Sequence, residues 1–184
     1  MQVVRNSTVK ARKRFLSFIA GRRGFLRACT MPLMLLLRRK WPSSKLQPEF
    51  RFIRTLRSPH HIVPDDRGFY RISSKAFSPS SSDKKLSGDL EQILAADGLP
   101  PDGMYPAVRD PVGAASITVG QMRTAGAGVE HDPVPLNWYH GSATGTGKDK
   151  VKRKLAEVAV EFIKIDQKLA ARFHEEWDAR KAST

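Results

Sequence analysis

The chain has 184 residues, 40% of them hydrophobic and 27% charged, and a net charge of +14. That suits one compact domain with appendages. Cys29 is the single cysteine, which excludes an internal disulfide and a Cys-rich zinc knuckle. The charge is unevenly placed: residues 1–57 hold fifteen Lys or Arg and one acid, Glu49, while the remainder is balanced.

The N-terminal stretch 12–41 alternates basic clusters with apolar runs. Its longest uncharged run, residues 28–37, is ten residues broken by Pro32, well short of the ~20 apolar residues that cross a bilayer. The expectation is a basic arm over residues 1–47, disordered on its own, ahead of a single domain over 48–184. Arg12, Lys13, Arg14, Arg22, Arg23, Arg38, Arg39 and Lys40 would meet phosphates of nucleic acid or of an anionic membrane surface. The six residues "RRGFLR" resemble a twin-arginine export signal. The apolar region after them ends in Arg38, Arg39 and Lys40 where a small-residue cleavage site belongs. A cytoplasmic location is therefore expected, with a peripheral membrane location as the alternative.

From Glu49 the composition is that of a folded domain. "EFRFIRTL" reads as a strand, because aromatic and branched residues recur at short spacing. A Pro- and Asp-rich loop follows, then a second strand in "GFYRISS" and a Ser-rich loop over residues 77–85. Ser87 is placed to cap a short helix, "GDLEQILAADG", that ends at Gly98. "AASITVGQM" predicts a buried strand. The prolines of "VEHDPVPLNWYHG" predict an edge or extended segment. Finally, Val151, Leu155, Val158, Phe162, Ile165, Leu169, Phe173 and Trp177 recur at spacings of three and four, which predicts one amphipathic helix over 150–180. Its far end leaves room for a homodimer contact near Trp177. The expected fold is α+β: a small sheet of three to five short strands packed by a long C-terminal amphipathic helix.

The stretch "HGSATGTGKDK" is the first candidate for chemistry. A phosphate-binding P-loop requires a glycine five residues before its Gly-Lys and a hydroxyl residue after the lysine. Here Ser142 and Asp149 occupy those positions. A flexible hinge ahead of a helix is the simpler reading. Its alternative is an anion site built from Gly145, Gly147, Lys148 and Lys150 at a helix start. "WYHGS" resembles the His-Gly-Ser of ADP-ribosyltransferases, but the tyrosine strand that such enzymes need has no counterpart after Tyr139. His131, Asp132 and His140 lack a recognised metal spacing; no metal and no cofactor are expected.

"RISSKAFSPSSSDKKLSGDLEQIL" is similar to a signature in small bacterial proteins of unassigned function. The similarity runs on through "DPVPLNWYHG" and singles out Arg71, Ser73, Ser74, Ser87, Asp89, Asp132 and His140. Two functions are expected to compete. One is a non-enzymatic binding module that uses the basic arm. The other is an enzyme or defence-associated factor with its site among Arg71, Ser74, Asp89 and His140.

Overall fold

The computed structural model describes residues 40–57, 59–105, 111–135 and 137–182. The arm cations Arg12, Lys13, Arg14, Arg22, Arg23, Arg38 and Arg39 lie outside the described residues.

In chain order the elements are β1 (Arg51–Leu56), β2 (Ile62–Pro64), β3 (Tyr70–Ile72), β4 (Leu86–Leu90), α1 (Glu91–Ala96), β5 (Gly113–Thr118), α2 (Val119–Ala125), β6 (Gly128–His131), β7 (His140–Thr144), α3 (Asp149–Val158), β8 (Val160–Ile163) and α4 (Gln167–Ala182). Six strands form one sheet in the order β6-β7-β4-β1-β5-β8. Every neighbouring pair is antiparallel. β2 and β3 form a separate two-stranded ribbon.

Residues opposite each other in a ladder share a face, so the register sorts the sheet into two surfaces. Phe52 lies opposite Leu90 and Ile117, and all three join the core with Met122 of α2 and Leu155 of α3. On the other face one row runs Ser116, Ile53, Asp89, His140 and a second joins Ser87, Ser142 and Glu130. Gly88 is required by close approach: a Cβ there would sit 2.4 Å from the Phe52 ring. Any larger residue would force β4 away from β1.

The α+β class holds, but the main sheet has six strands rather than three to five. Three local readings depart from the expectation, and two of them add the strands β4 and β8. Ser87 does not cap a helix: it lies inside β4, and α1 begins at Glu91 after Leu90, which makes no side-chain cap. "AASITVGQM" is a strand only as far as Thr118, whose hydroxyl and Gln121 then form a capping box that starts α2. That S/T-x-x-E/Q pattern was legible in the sequence. The C-terminal helix is two helices. α3 stops at Val158, with Ala159 extended, and Val160–Ile163 pairs with β5 before α4 begins. Asp166 starts α4 by accepting from the backbone N–H groups of Lys168 and Leu169, both at 3.1 Å. A run of Val, Phe and Ile satisfies a helical stripe as readily as a strand. The open edge of β5 decides between them by offering ladder hydrogen bonds.

Residues 41–47, assigned to the arm on charge, pack on the domain. Leu46 is 1% exposed and belongs to the core. Gln92 donates from Nε2 to the Lys45 carbonyl at 3.0 Å, and Arg123 donates to the Ser43 carbonyl at 2.9 Å.

Candidate functional site

β1 carries an anomaly on its core side. Its alternation places Arg54 between Phe52 and Leu56 on the core-facing row, where a third apolar residue belongs. The ladder of β1 with β4 pairs Phe52 with Leu90 and Ile53 with Asp89. Beyond them Arg54 donates from Nη1 to the Ser87 carbonyl at 2.8 Å and from Nε to the Ala76 carbonyl at 3.2 Å. Burial, then the nearby Arg57, lower its pKa to about 10, so it remains a cation at neutral pH. Its hydrogen-bond partners are neutral carbonyls, which orient the guanidinium without cancelling its charge, and Asp89 is the nearby carboxylate that favours the charged form.

Arg54 opens onto a cavity of about 520 Å3. Arg57 continues β1 into it, the turn at Pro59–His61 brings His60 and His61, and the turn at Ser74–Phe77 brings Lys75. Ser78 and Ser80 add hydroxyls, Ser87 comes from β4 and Lys85 immediately precedes it, and Lys152 comes from α3. Five Lys or Arg line this space and no Asp or Glu does. Cations gathered in a concave, partly desolvated space focus a positive potential on whatever enters.

His61 is held neutral. The backbone N–H of Arg57 donates to its Nδ1 at 3.3 Å, so the ring proton sits on Nε2. Burial, then Arg54 and Arg57, lower its pKa to about 3. It therefore offers a neutral N–H donor across the physiological range.

Two of the lysines are already answered. Lys85 donates to Glu130 at 2.8 Å and to Asp132 at 3.0 Å, and those hydrogen bonds raise its pKa. Lys152 pairs with Asp149 at 2.7 Å. Arg54, Arg57 and Lys75 are the cavity cations without an ion-pair partner among the described residues.

On the face of β4, β7 and β6 that carries Ser87 and Ser142, and joined to the cavity through Lys85, lies a balanced polar lattice. Asp132 accepts from Ser142 at 2.7 Å and from Lys85, which together bring its pKa down to about 2. Lys40 completes the balance at 3.4 Å from Glu130 and 3.6 Å from Asp132. Thus Lys40, the one member of the expected phosphate-contacting set that is described, is paired within the domain. Asp89, buried opposite His140, accepts from Asn137 at 2.8 Å, and burial raises its pKa. His140 Nδ1 sits 2.6 Å from the Asp132 carbonyl. His131 is enclosed, its ring nitrogens bonded to the Trp41 N–H at 3.0 Å and the Trp138 carbonyl at 2.6 Å. Among the described residues no group of three or more His, Cys, Asp or Glu could hold a metal ion.

Of the four polar candidates, Asp89 and His140 come together across β4 and β7. Arg71 does not join them: it is exposed on β3 opposite Val63. Ser74 opens the turn beside Lys75, and the capping oxygen there belongs to Ser73, which accepts from the Lys75 N–H at 3.2 Å. At the glycine-rich turn, Gly145 adopts φ +77°, and a Cβ on it would lie 2.8 Å from the Gly126 carbonyl. Thr146 is fully buried, with no hydrogen-bond partner for its hydroxyl among the described residues. Gly147, Lys148 and Lys150 are exposed. Asp149 stands in the first turn of α3, where a carboxylate complements the helix dipole. It thereby answers the lysine charge that made a bound anion attractive at this turn.

Arg57, Lys75, Lys85 and Lys152 were not singled out from the sequence, and His61 stands out there only as half of an adjacent histidine pair whose rings face opposite ways on an extended chain. Arg54 alone left a signal there, as a charge in phase with Phe52 and Leu56. Comparison of the chain with protein-family models, with curated proteins and with solved structures finds no match. Among the described residues no helix is long and apolar enough to cross a membrane.

Proposed function

We propose that this protein is a non-enzymatic binding module for phosphate-bearing anions, with the basic cavity as its ligand site and the basic arm as a second contact to a larger anionic partner. One observation carries the reading: a cavity lined by five Lys or Arg and no carboxylate, three of whose cations have no ion-pair partner among the described residues. Arg54 is withdrawn from water, while Arg57 and Lys75 are exposed at the mouth. A desolvated cation costs stability unless something compensates it, and a bound anion would supply that compensation. Binding is favoured over catalysis because the half-buried His61 already uses its Nδ1 as an acceptor, and no carboxylate lines the space to serve as a base.

For the arm, the support is the twelve Lys or Arg, with no Asp or Glu, within residues 1–47. Nucleic acid fits that excess through phosphate neutralisation. The second reading, an enzyme, is favoured by the buried Asp89 facing His140 across the ladder. Calorimetric titration of the full chain with inorganic phosphate, at low and at high salt, tests the first reading. A saturable one-site isotherm that weakens with salt is expected. Heat that stays linear to millimolar phosphate would contradict it, and a function abolished by His140→Ala alone would favour the enzyme.

A further inference from the structure

A second, smaller cavity of about 180 Å3 adjoins the basic one, with His60 and Lys75 forming part of both. Its chemistry is different. Trp177 and His174 of α4 line it together with Ile62 and Val63 of β2, and Asp178 and Ser73 supply its polar groups. The Trp177 indole meets the His60 ring edge to face, centroids 4.5 Å apart at 81°. His174 holds its place by a 3.3 Å bond between Nε2 and the Ile62 carbonyl, and by a ring contact with Tyr70 at 4.9 Å. The aromatic wall is thus fixed to the ribbon and to the turn at Pro59–His61, which also lines the basic cavity.

A free phosphate has no use for aromatic and branched surface. A ligand with a flat ring and a phosphate uses both, since bases stack on aromatic faces while cations hold the backbone charge. Resting on the anion-binding reading above, we infer that the ligand is a nucleotide, with its phosphate held by Arg54, Arg57 and Lys75 and its base lodged against Trp177. Asp178 sets the direction. An ionised carboxylate only accepts, so it takes a donor from the edge of the base and repels the phosphate toward Arg57.

The test is calorimetric titration of the full chain with inorganic phosphate, ribose 5-phosphate and guanosine 5′-monophosphate. Stacking of one base on one aromatic side chain is worth about tenfold or more in affinity, so the nucleotide should bind at least about tenfold tighter than ribose 5-phosphate. Trp177→Ala should erase that advantage and leave the sugar phosphate unaffected, and Trp177→Phe should keep most of it. The double variant Arg57→Gln with Lys75→Gln should weaken all three ligands. Equal affinity for nucleotide and sugar phosphate, or an equal loss of both in Trp177→Ala, overturns the nucleotide assignment and leaves anion binding standing. Absence of saturable binding by any of the three overturns both.

Discussion

Lys85 and Lys75 stand in two regions that differ in how their positive charge is met. Around Lys85, the carboxylates of Glu130 and Asp132 answer Lys85 and Lys40, and Ser142 completes the set. Around Lys75, Arg54 and Arg57 add charge and no carboxylate lines the larger cavity, Asp178 belonging to the smaller one. The balanced region has the chemistry of a structural lattice, in which every strong donor has an acceptor. The unbalanced one is held together by carbonyls and a neutral histidine, which satisfy hydrogen bonds but leave the charge in place. Cationic residues therefore do not mark a site; cations without acids do.

Arg54→Met should produce the largest effect. It removes the donor from two buried carbonyls and the central charge from the cavity, so a loss of about 2–4 kcal/mol in unfolding free energy is expected, together with loss of phosphate binding. Urea unfolding and calorimetry read the two. Unchanged stability would mean that the carbonyls find other partners, and the structural half of the Arg54 role would fall.

Arg57→Gln combined with Lys75→Gln should separate binding from folding. About tenfold per cation is expected, roughly a hundredfold in phosphate affinity for the pair, at nearly constant melting temperature. If the pair bound phosphate as well as the unaltered chain, the two regions would not differ in function.

Asp132→Asn addresses the balanced side, with an expected cost of about 1–2 kcal/mol and no change in phosphate affinity. The pH dependence has a definite sign. Folding lowers this carboxyl from its ordinary 3.8 to about 2, so its stabilisation is present above the ordinary value and is lost as pH falls through about 2. Acid unfolding of the variant should be less steep in that window. Smallest of all, Lys148→Ala with Lys150→Ala should be neutral or stabilising by about 0.3–1 kcal/mol per residue through the helix dipole, with binding intact.

Much of the fold was legible because it follows local rules. β1, the buried strand around residues 114–118 and the two C-terminal apolar stripes all carry their period in the sequence. The split between α3 and α4 was not, because Val158 to Ile165 satisfies two periods and the partner strand lies some fifty residues away. The site was less legible still. Lys152 reaches the cavity only because α3 packs on the turn at Ser74–Phe77, and the missing carboxylates are a property of the assembled surface. Asp89 and His140 could be named as polar candidates, but the pairing that brings them together is a register, which residue types do not disclose. Arg54 is the exception, since a charge in the core-facing phase of a strand can be read directly from "FIRTL".

Amide chemical-shift mapping of the full chain during a phosphate titration tests the central claim most directly. The account predicts that the amides of His60, His61, Lys75 and Ser80 move first and saturate together. Those of Glu130, Asp132 and Ser142, and of the turn at Gly145 and Gly147, should stay in place. First movement at Gly145 and Gly147, or a uniform drift with no saturation, would contradict it.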